Sequence, residues 1–371
     1  MTDQNLYNIA LTMINGIGNV LGRQLLQALG NAEAIFRENL QALEKIPGIG
    51  KTLAWEIKHS DALEKAGKEL AFIDKNNIRH TFLTDKDYPT RFREHPDAPL
   101  LFYFKGNTDL NAKRLISIVG TRKASAYGKE QTEKLICDLS VLFPELLIVS
   151  GLAYGIDIIA HRSALKNKLS TIAVLAHGLD RIYPPVHRQT AIEIIEQGGL
   201  LTDFPSNTNP DKPNFVKRNR IIAGLSDATI IIESANKGGS LITAGFASSY
   251  GRKVFAFPGK VTDTFSEGCN HMIRQNKAGL ITCANDLIEA MRWDMPTKPK
   301  AAPVQTELFF SGDTEVNRLY DILKEKNDLN LNELSIELNL PVSKVSSLLF
   351  ELEMKGSIQA IPGNRYRLVK D

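Results

Sequence analysis

Short apolar runs alternate with helical segments through the middle of the chain. The first run is Leu115-Ile-Ser-Ile-Val119, and similar runs follow at residues 146–150, 171–176, 199–204, 228–233 and 253–257. Each run is rich in β-branched or other apolar residues and too short for a helix, which is typical of buried strands. A helix capped by Ser125 is predicted after the first run. Strands that alternate with helices predict an α/β fold with a doubly wound, mostly parallel sheet over residues 113–295.

Residues 1–60 have a different pattern, with amphipathic helical segments around two similar hairpins. These hairpins read Ile14-Asn-Gly-Ile-Gly18 and Ile46-Pro-Gly-Ile-Gly50. The repeat predicts a tandem helix-hairpin-helix, or SAM-like, module, whose glycines allow tight turns with N–H groups that can contact a DNA phosphate. Because the segment carries five basic and five acidic residues, we expect it to pack against the rest of the protein or to bind weakly.

The remaining segments complete the domain organisation. Residues 61–112 form a bridging segment, with a charged helix over 61–76 and two short strands beyond it. Residues 296–313 contain four prolines or glycines and no periodicity, which indicates a linker. Residues 314–371 show three helices and a β-hairpin, the plan of a winged helix. Such folds often contact DNA through the third helix, but this segment is slightly acidic, so we expect it to contact protein.

Composition limits the functional classes. Apolar residues make up 43% of the 371 residues and charged residues 23%, as in ordinary globular proteins. No apolar run is long enough to span a membrane, and the N-terminus lacks a basic segment followed by an apolar one, so we expect a cytoplasmic protein. The three cysteines are far apart, so neither a disulfide framework nor a metal site is predicted, and no cofactor is expected.

The net charge of +3 is too small to identify a nucleic-acid-binding protein, but its distribution is informative. Residues 113–134 contain six basic and two acidic side chains, and residues 205–225 contain four basic and one acidic. Both segments adjoin loops at which predicted strands end. Clustered cations beside such loops are typical of a nucleic-acid-binding surface.

Loops rich in glycine, serine, proline or histidine follow all the predicted strands. In a parallel sheet these loops share the carboxyl edge, where such folds bind ligands. The first loop combines a strand-to-helix turn, whose free N–H groups and helix dipole favour an anion, with the guanidinium of Arg122. Further along, cations open a predicted helix, a position that disfavours them unless an anion lies among them, and Phe215 could stack on a base. The candidate phosphate-binding residues are Gly120, Thr121, Arg122, Ser150, Gly151, Lys217, Arg218, Asn219, Arg220, Gly239 and Ser240.

Familiar catalytic signatures are missing from these loops. The first strand is not followed by the Gly-x-Gly-x-x-Gly pattern of dinucleotide-binding proteins, and no Gly-x-Ser-x-Gly elbow is present. Asp157 and His161 are four residues apart and could form a metal or acid–base pair, but no third ligand is near them in the sequence. The pattern favours Asp157 as a helix cap and His161 as a residue that fixes a loop. We therefore expect a binding protein and not an enzyme.

Six ordered motifs between residues 113 and 293 resemble the DNA-processing protein A family, known as DprA or Smf. They are Ile118-Val-Gly-Thr-Arg122, Ser150-Gly-Leu-Ala-Tyr-Gly-Ile-Asp157 with Ala160-His161, Leu179-Asp-Arg-Ile-Tyr-Pro184, Arg218-Asn-Arg-Ile-Ile-Ala-Gly224, Gly239-Ser-Leu-Ile-Thr-Ala244 and Gly268-Cys-Asn270. His177 and Asp203 depart from the family pattern, in which glycine is frequent and glutamate is usual. The flanking modules resemble the three-part architecture of this family, whose central domain is Rossmann-like.

The resemblance implies a recombination mediator of natural transformation. Proteins of this family bind incoming single-stranded DNA without sequence preference, protect it and help to load the RecA recombinase. They act as homodimers, here expected to form through the Rossmann-like domain, and are not known as enzymes. A single-strand-binding protein is a further expected partner, and no membrane contact is expected.

The family roles transfer to this chain by position. The turn residues would hold a backbone phosphate, the helix cations would extend a basic groove, and Phe215 would be a stacking partner. The turn residues are Gly120, Thr121 and Arg122, and the helix cations are Lys217, Arg218 and Arg220.

Two other functions stay open on the sequence. Phosphoribohydrolases that activate cytokinins have a similar domain, with a Gly-Gly-x-Gly-Thr loop followed by a catalytic glutamate. Here the corresponding loop at 238–243 is followed by Ala244, Gly245 and Phe246 without an acid, which leaves hydrolysis without a general acid. The other alternative is a regulator that binds duplex DNA through the winged helix, which the acidic balance of that segment disfavours.

Overall fold

The computed structural model describes residues 3–93, 95–294, 314–326, 329–354, 357–361 and 365–368. The chain divides into two compact units, Met1–Thr297 and Lys298–Asp371. The predicted linker at 296–313 lies outside the described residues. Within those residues, no helix has both the length and the apolar content that crossing a bilayer requires.

A nine-stranded sheet runs through the described part of the larger unit, in the order β1-β2-β6-β5-β4-β3-β7-β8-β9. Strands β3 to β9 pair in parallel, whereas β1 and β2 add to the β6 edge in antiparallel fashion. The strands are β1 Arg79–Phe82, β2 Leu101–Gly106, β3 Leu115–Val119, β4 Leu147–Ser150, β5 Thr171–Val174, β6 Gly199–Thr202, β7 Ala228–Ile231, β8 Lys253–Ala256 and β9 Gly279–Leu280. The predicted doubly wound sheet is confirmed, and the strands of the bridging segment extend it.

Helices on both faces of this sheet and helices of the N-terminal module surround its strands. They are α1 Asp3–Thr12, α2 Asn19–Leu29, α3 Ala32–Arg37, α4 Leu40–Glu44, α5 Lys51–His59, α6 Ala62–Lys75, α7 Thr90–Arg93, α8 Ala126–Leu142, α9 Ile156–Lys166, α10 Arg188–Gln197, α11 Lys212–Leu225, α12 Gly239–Ser249, α13 Glu267–Arg274 and α14 Ala284–Met291. Side chains of β3 alternate between the two faces. Leu115 and Val119 join the core under α11 and α12, while Ile116 and Ile118 join the core under α8 and α9.

Helices α1 to α6 contain the predicted helix-hairpin-helix repeat. Gly16 and Gly48 occupy equivalent hairpin positions with φ of 79° and 84°. A Cβ on Gly16 would lie 2.8 Å from a methyl carbon of Leu53, and a Cβ on Gly48 would lie 2.8 Å from one of Leu21. Each hairpin therefore packs against the helix that follows the other hairpin, and at both positions glycine satisfies the backbone angle and the close approach.

The smaller unit contains the elements predicted for a winged helix. They are α15 Thr314–Glu325, β10 Leu329–Asn330, α16 Leu331–Leu338, α17 Val342–Met354, β11 Ile358–Ile361 and β12 Arg365–Leu368. The strands form one sheet in the order β10-β12-β11, and the predicted hairpin turn at 362–364 lies outside the described residues. On the third helix, the ammonium of Lys344 is 2.5 Å from a Glu315 carboxylate oxygen.

Candidate nucleic-acid interface

A cavity of about 550 Å³ opens at the carboxyl edge of the large sheet. Its walls are the loops after β3, β4 and β7 together with parts of α11 and α12. The chain continues from β3 to β4 on one side, whereas β7 lies on the other side of β3. The cavity therefore lies at a topological switch point, the position at which doubly wound sheets bind ligands.

The turn after β3 is closed by hydrogen bonds to Glu233, which follows β7. The N–H of Thr121 donates to the carbonyl of Glu233 at 2.8 Å, and the N–H of Ser125 donates to the Glu233 carboxylate at 2.9 Å. The Ser125 hydroxyl donates to the same carboxylate at 2.5 Å and accepts from the N–H of Gly128 at 3.2 Å. Ser125 is the predicted N-cap of α8. The expectation that the N-terminus of α8 is open to an anionic ligand is wrong, because the Glu233 carboxylate already lies there.

Two glycines bring the β3 turn against the start of α9. A Cβ on Gly120 would lie 2.5 Å from a side-chain carbon of Ile156, and one on Gly155 would lie 2.1 Å from the carbonyl oxygen of Thr121. Gly155 has a φ of +75°, which other residues rarely adopt. The N–H of Ile156 donates to that Thr121 carbonyl at 3.1 Å. These contacts place Gly120, Thr121 and Arg122 on the cavity wall.

An aromatic and cationic cluster lies at the cavity mouth. The Arg122 side chain is exposed, and its guanidinium carbon lies 5.3 Å from the centre of the half-buried Phe215 ring, within the range of cation–π contact. Tyr183 meets the same ring edge-on with 5.8 Å between ring centres. The structure thus brings together two residues that the sequence analysis selected separately. Tyr183 is an addition to them, and its motif from Leu179 to Pro184 was the available signal.

Arg218 lies beneath this cluster and is only 3% exposed. Its Nη1 donates to the carbonyl of Gly151 at 2.7 Å and to that of Val174, and its guanidinium carbon lies 5.8 Å from the Phe215 ring. Burial lowers the pKa of Arg218 to about 10, which the nearby Asp157 carboxylate opposes. Arg218 therefore stays charged at neutral pH and connects α11 to the ends of β4 and β5.

The rotation of α11 decides which of its residues reach the cavity. Lys212, Phe215, Asn219 and Ile222 line it at spacings of three and four residues, which is one face of a helix. Val216 and the predicted site residue Arg218 also line it. Lys217 is exposed but absent from the lining, since helical geometry places it on the opposite face. Lys212 was missed by the sequence analysis, although its spacing from Phe215 was a usable signal.

Arg220 also lies outside the basic groove in which it was expected. It is 8% exposed, forms a 2.6 Å ion pair with Asp203, and donates to the carbonyl of Asp97. Asp203 stands where the family usually has glutamate, and burial raises its pKa while Arg220 opposes that rise. This pair joins α11 to the loop after β6 and does not line the cavity.

Ser150 and Gly151 have internal partners. The Ser150 hydroxyl is fully buried and donates to the carbonyl of Ile118 at 2.7 Å. The N–H of Gly151 donates to the Asp157 carboxylate at 3.2 Å, and the N–H of Leu152 donates to Nε2 of His161 at 3.3 Å. The interpretation of His161 as a loop-fixing residue is confirmed. Asp157 holds the same loop, so its interpretation as a helix cap is wrong.

The N-terminus of α12 lies at the cavity and carries no side-chain cap. Gly239 is exposed, and a Cβ there would meet nothing within 4 Å. The Ser240 hydroxyl donates to the Ser234 hydroxyl at 2.8 Å. A helix N-terminus of this kind carries a partial positive charge and donor N–H groups. The feature that the sequence analysis assigned to α8 is therefore available at α12.

Comparison with known proteins follows the same domain divisions. Residues 79–292 match the family model described as DNA recombination-mediator protein A. Residues 9–59 match a SAM-like helix-hairpin-helix tandem, and residues 298–364 match the DprA winged helix domain. The three matches confirm the predicted fold of each part.

Relatives and solved structures agree with these matches. Protein Smf of Synechocystis is 30% identical over 97% of this chain and 98% of its own length. DNA processing protein DprA of Streptococcus pneumoniae is 41% identical over 56% of this chain and 72% of its own length. The X-ray structure of the pneumococcal protein has a TM-score of 0.64 at 33% identity and covers 78% of this chain and 98% of that one.

A second structure is reported for its single-stranded DNA binding mode. It is DNA processing protein A of Helicobacter pylori, with a TM-score of 0.52, 30% identity, and coverage of 58% of this chain and 97% of that one. Family model, relatives and structures confirm the resemblance seen in the sequence motifs. The chain therefore belongs to the DprA/Smf family of DNA recombination-mediator proteins.

Proposed function

We propose that this protein binds single-stranded DNA without sequence preference at the switch-point cavity, protects incoming DNA and loads the RecA recombinase during natural transformation. The observation that carries the proposal is the meeting of exposed Arg122, half-buried Phe215 and the uncapped start of α12 in one cavity. Phosphate and base are the two parts of a nucleotide that such a site would contact.

The lining residues suit a strand bound through its backbone and base faces. Arg122 and Lys212 supply positive charge, and the first N–H groups of α12 supply donors for a phosphate oxygen. Phe215 and Tyr183 supply ring faces, on which any base can stack. Contacts to phosphates and ring faces carry little sequence information, which supports binding without sequence preference.

The residues that line the cavity favour a binding function over a catalytic one. Asp157 is the carboxylate among its described lining residues, and the N–H of Gly151 and the nearby Arg218 engage it. Glu233 is 1% exposed, and its carboxylate accepts from the N–H and the hydroxyl of Ser125, the N-cap of α8. A phosphoribohydrolase mechanism would lack the acid that its glycine loop normally precedes, so we infer that the protein is a DNA-binding protein and not an enzyme.

Membership of the family supports the proposed partners, cellular location and oligomeric state. Recombination mediation implies contact with RecA and with single-strand-binding protein, in the cytoplasm, by a homodimer formed through the Rossmann-like domain. The H. pylori relative supports the choice of single-stranded DNA as the ligand. We propose these partners for this chain on that basis.

Fluorescence anisotropy of labelled oligo(dT) tests the DNA part of the proposal. We expect single strand to bind more tightly than duplex of equal length, affinity to fall steeply with salt, and Arg122→Ala to weaken binding by about tenfold or more. Lys123→Ala removes the neighbouring exposed charge and is the matched control, with a small expected effect. Equal affinity for duplex, or an unaffected Arg122→Ala variant, would contradict the proposed site.

A further inference from the structure

Two aromatic rings form an exposed stacked pair on α5 of the helix-hairpin-helix module. The rings of Trp55 and His59 lie 4.6 Å apart between centres, with 15° between their planes. Nδ1 of His59 also lies 2.9 Å from the carbonyl oxygen of Trp55, within hydrogen-bond distance. The indole is 55% exposed. The pair is thus held in place while one broad ring remains open to solvent, and we call it the Trp55–His59 platform.

The charge around the platform favours an anionic ligand. Lys51 is exposed one helical turn before Trp55, and helical spacing puts both on one face with His59. The acid of this helix, Glu56, is half-buried and accepts from the side-chain amide of Asn15 at 3.1 Å. The helix also starts at Gly50 without a side-chain cap. An aromatic surface beside a cation suits a ligand that has both bases and phosphates.

The module joins the sheet at the same edge as the cavity. Tyr103 of β2 pairs with Thr202 in antiparallel register, so the start of β2 lies at the carboxyl end of β6. At that end the N–H of Leu100 donates to the side chain of Asn19 at 3.1 Å. The N–H of Ser206, in the loop after β6, donates to Glu69 of α6 at 3.0 Å. A strand that leaves the cavity along this edge would therefore approach the module.

We infer that the Trp55–His59 platform is a second contact for single-stranded DNA, where a base stacks on the indole outside the cavity. The inference rests on the proposed function, because the cavity supplies the first contact with the strand. The inference gives the helix-hairpin-helix module a ligand, which the balanced charge of residues 1–60 did not indicate. A longer strand would reach both contacts, and a short one only the cavity.

Tryptophan emission gives a direct test. The chain contains two tryptophans, and the other, Trp293, packs edge-on against Phe143. In a Trp293→Phe background, Trp55 is the sole reporter. We expect oligo(dT) to quench its emission, since base stacking on the indole is the contact proposed. An abasic oligomer of the same length should leave the emission unchanged.

Affinity measurements complete the test. Because Trp55 is exposed, Trp55→Ala should fold normally and weaken binding of long oligo(dT) by about tenfold, as expected for one stacked base. Binding of oligomers that fill only the cavity should not change, and Trp55→Phe should restore most of the loss.

The two proposals fail in different ways. Unchanged Trp55 emission at concentrations where anisotropy shows saturated oligo(dT) binding would overturn the platform and leave the cavity in place. Emission that varies with protein concentration without DNA would assign the platform to a second copy of this chain and would also overturn the inference. An absence of oligo(dT) binding by anisotropy would instead contradict the proposed function.

Discussion

At the scale of single residues, His161 shows how a buried polar group positions the site. The N–H of Leu152 donates to its Nε2, and its Nδ1 lies 2.7 Å from the hydroxyl oxygen of Thr171. That hydroxyl donates in turn to the carbonyl of Ile148 at 2.9 Å. The ring is fully buried, and burial lowers the pKa of His161 to about 3. A neutral imidazole with an accepting Nε2 is therefore built into the loop after β4.

This burial predicts a pH dependence of stability. Below pH 6.5 the unfolded chain protonates His161 and the folded chain does not, so the free energy of unfolding should fall as pH decreases from about 6.5 towards about 3. The contribution is about 1.4 kcal/mol per pH unit. His161→Gln should be less stable at neutral pH but show a shallower pH slope in urea unfolding than the parent protein.

His271→Gln, on α13, is the matched histidine-to-glutamine control for that measurement. A slope that His161→Gln leaves unchanged would mean that other groups cause the acid sensitivity.

At the scale of elements, the cationic side chains of α11 have three different roles. Lys212 faces the cavity, Arg218 braces the loops beneath Phe215, and Arg220 pairs with Asp203. Arg218 and Arg220 point to opposite sides of the helix, because residues two apart in an α-helix are separated by about half a turn. A run of cations in sequence is therefore not one basic groove in space.

This division predicts different salt dependences for two lysines. Lys212→Ala should reduce the slope of log affinity against log salt for oligo(dT) by about 0.7, the value for one phosphate contact on a single strand. Lys217→Ala, five residues along on the opposite face, should leave the slope unchanged. Anisotropy titrations at several salt concentrations measure both, and equal slopes for Lys212→Ala and the parent protein would remove Lys212 from the binding surface.

At the scale of the whole larger unit, the helix-hairpin-helix module supports the loop that leads into α11. Glu69 of α6 is 5% exposed and accepts from the N–H and from the hydroxyl of Ser206. Phe82, Leu101 and Tyr103 of β1 and β2 lie in the same apolar core as the module's helices. The module is therefore packed into the sheet edge, and its stability is tied to the position of the loop after β6.

Glu69→Gln tests this coupling. The amide nitrogen cannot accept a hydrogen bond, so the free energy of unfolding should fall by about 1.5–3 kcal/mol, the range for hydrogen bonds to a charged group. Glu64→Gln, on an exposed part of the same helix, loses a surface ion pair with Lys68 and should change stability less than Glu69→Gln does, because solvent screens exposed pairs. Urea unfolding measures both, and equal effects would contradict a structural role for Glu69.

Much of this fold was predictable because its signals are local. The central strands are continuous apolar runs, and buried parallel strands need no other pattern. Ser125 capped α8 as expected, since an N-cap bonds to groups only a few residues away. The motif from Gly120 to Arg122 was also correctly placed at the sheet edge, because parallel strands all end there.

Contacts between distant segments were not predictable in the same way. Glu233 lies at the start of α8 from 108 residues away in the chain, so the N-terminus of α8 is engaged, whereas that of α12 carries no side-chain cap. The turning of Lys217 and Arg220 away from the cavity depends on which face of α11 the sheet covers. Periodicity shows that a helix has faces, but not which neighbour each face meets.

The sequence by itself therefore determined the family, the order of elements, and the edge of the sheet at which a ligand would bind. These follow from local patterns and from the geometry common to all parallel sheets. The tertiary structure decided which groups at that edge are already satisfied and which are open. Hydrogen bonds and ion pairs are short-range interactions between atoms, so whether Arg122 is exposed and Arg220 is paired depends on positions that only the folded chain brings together.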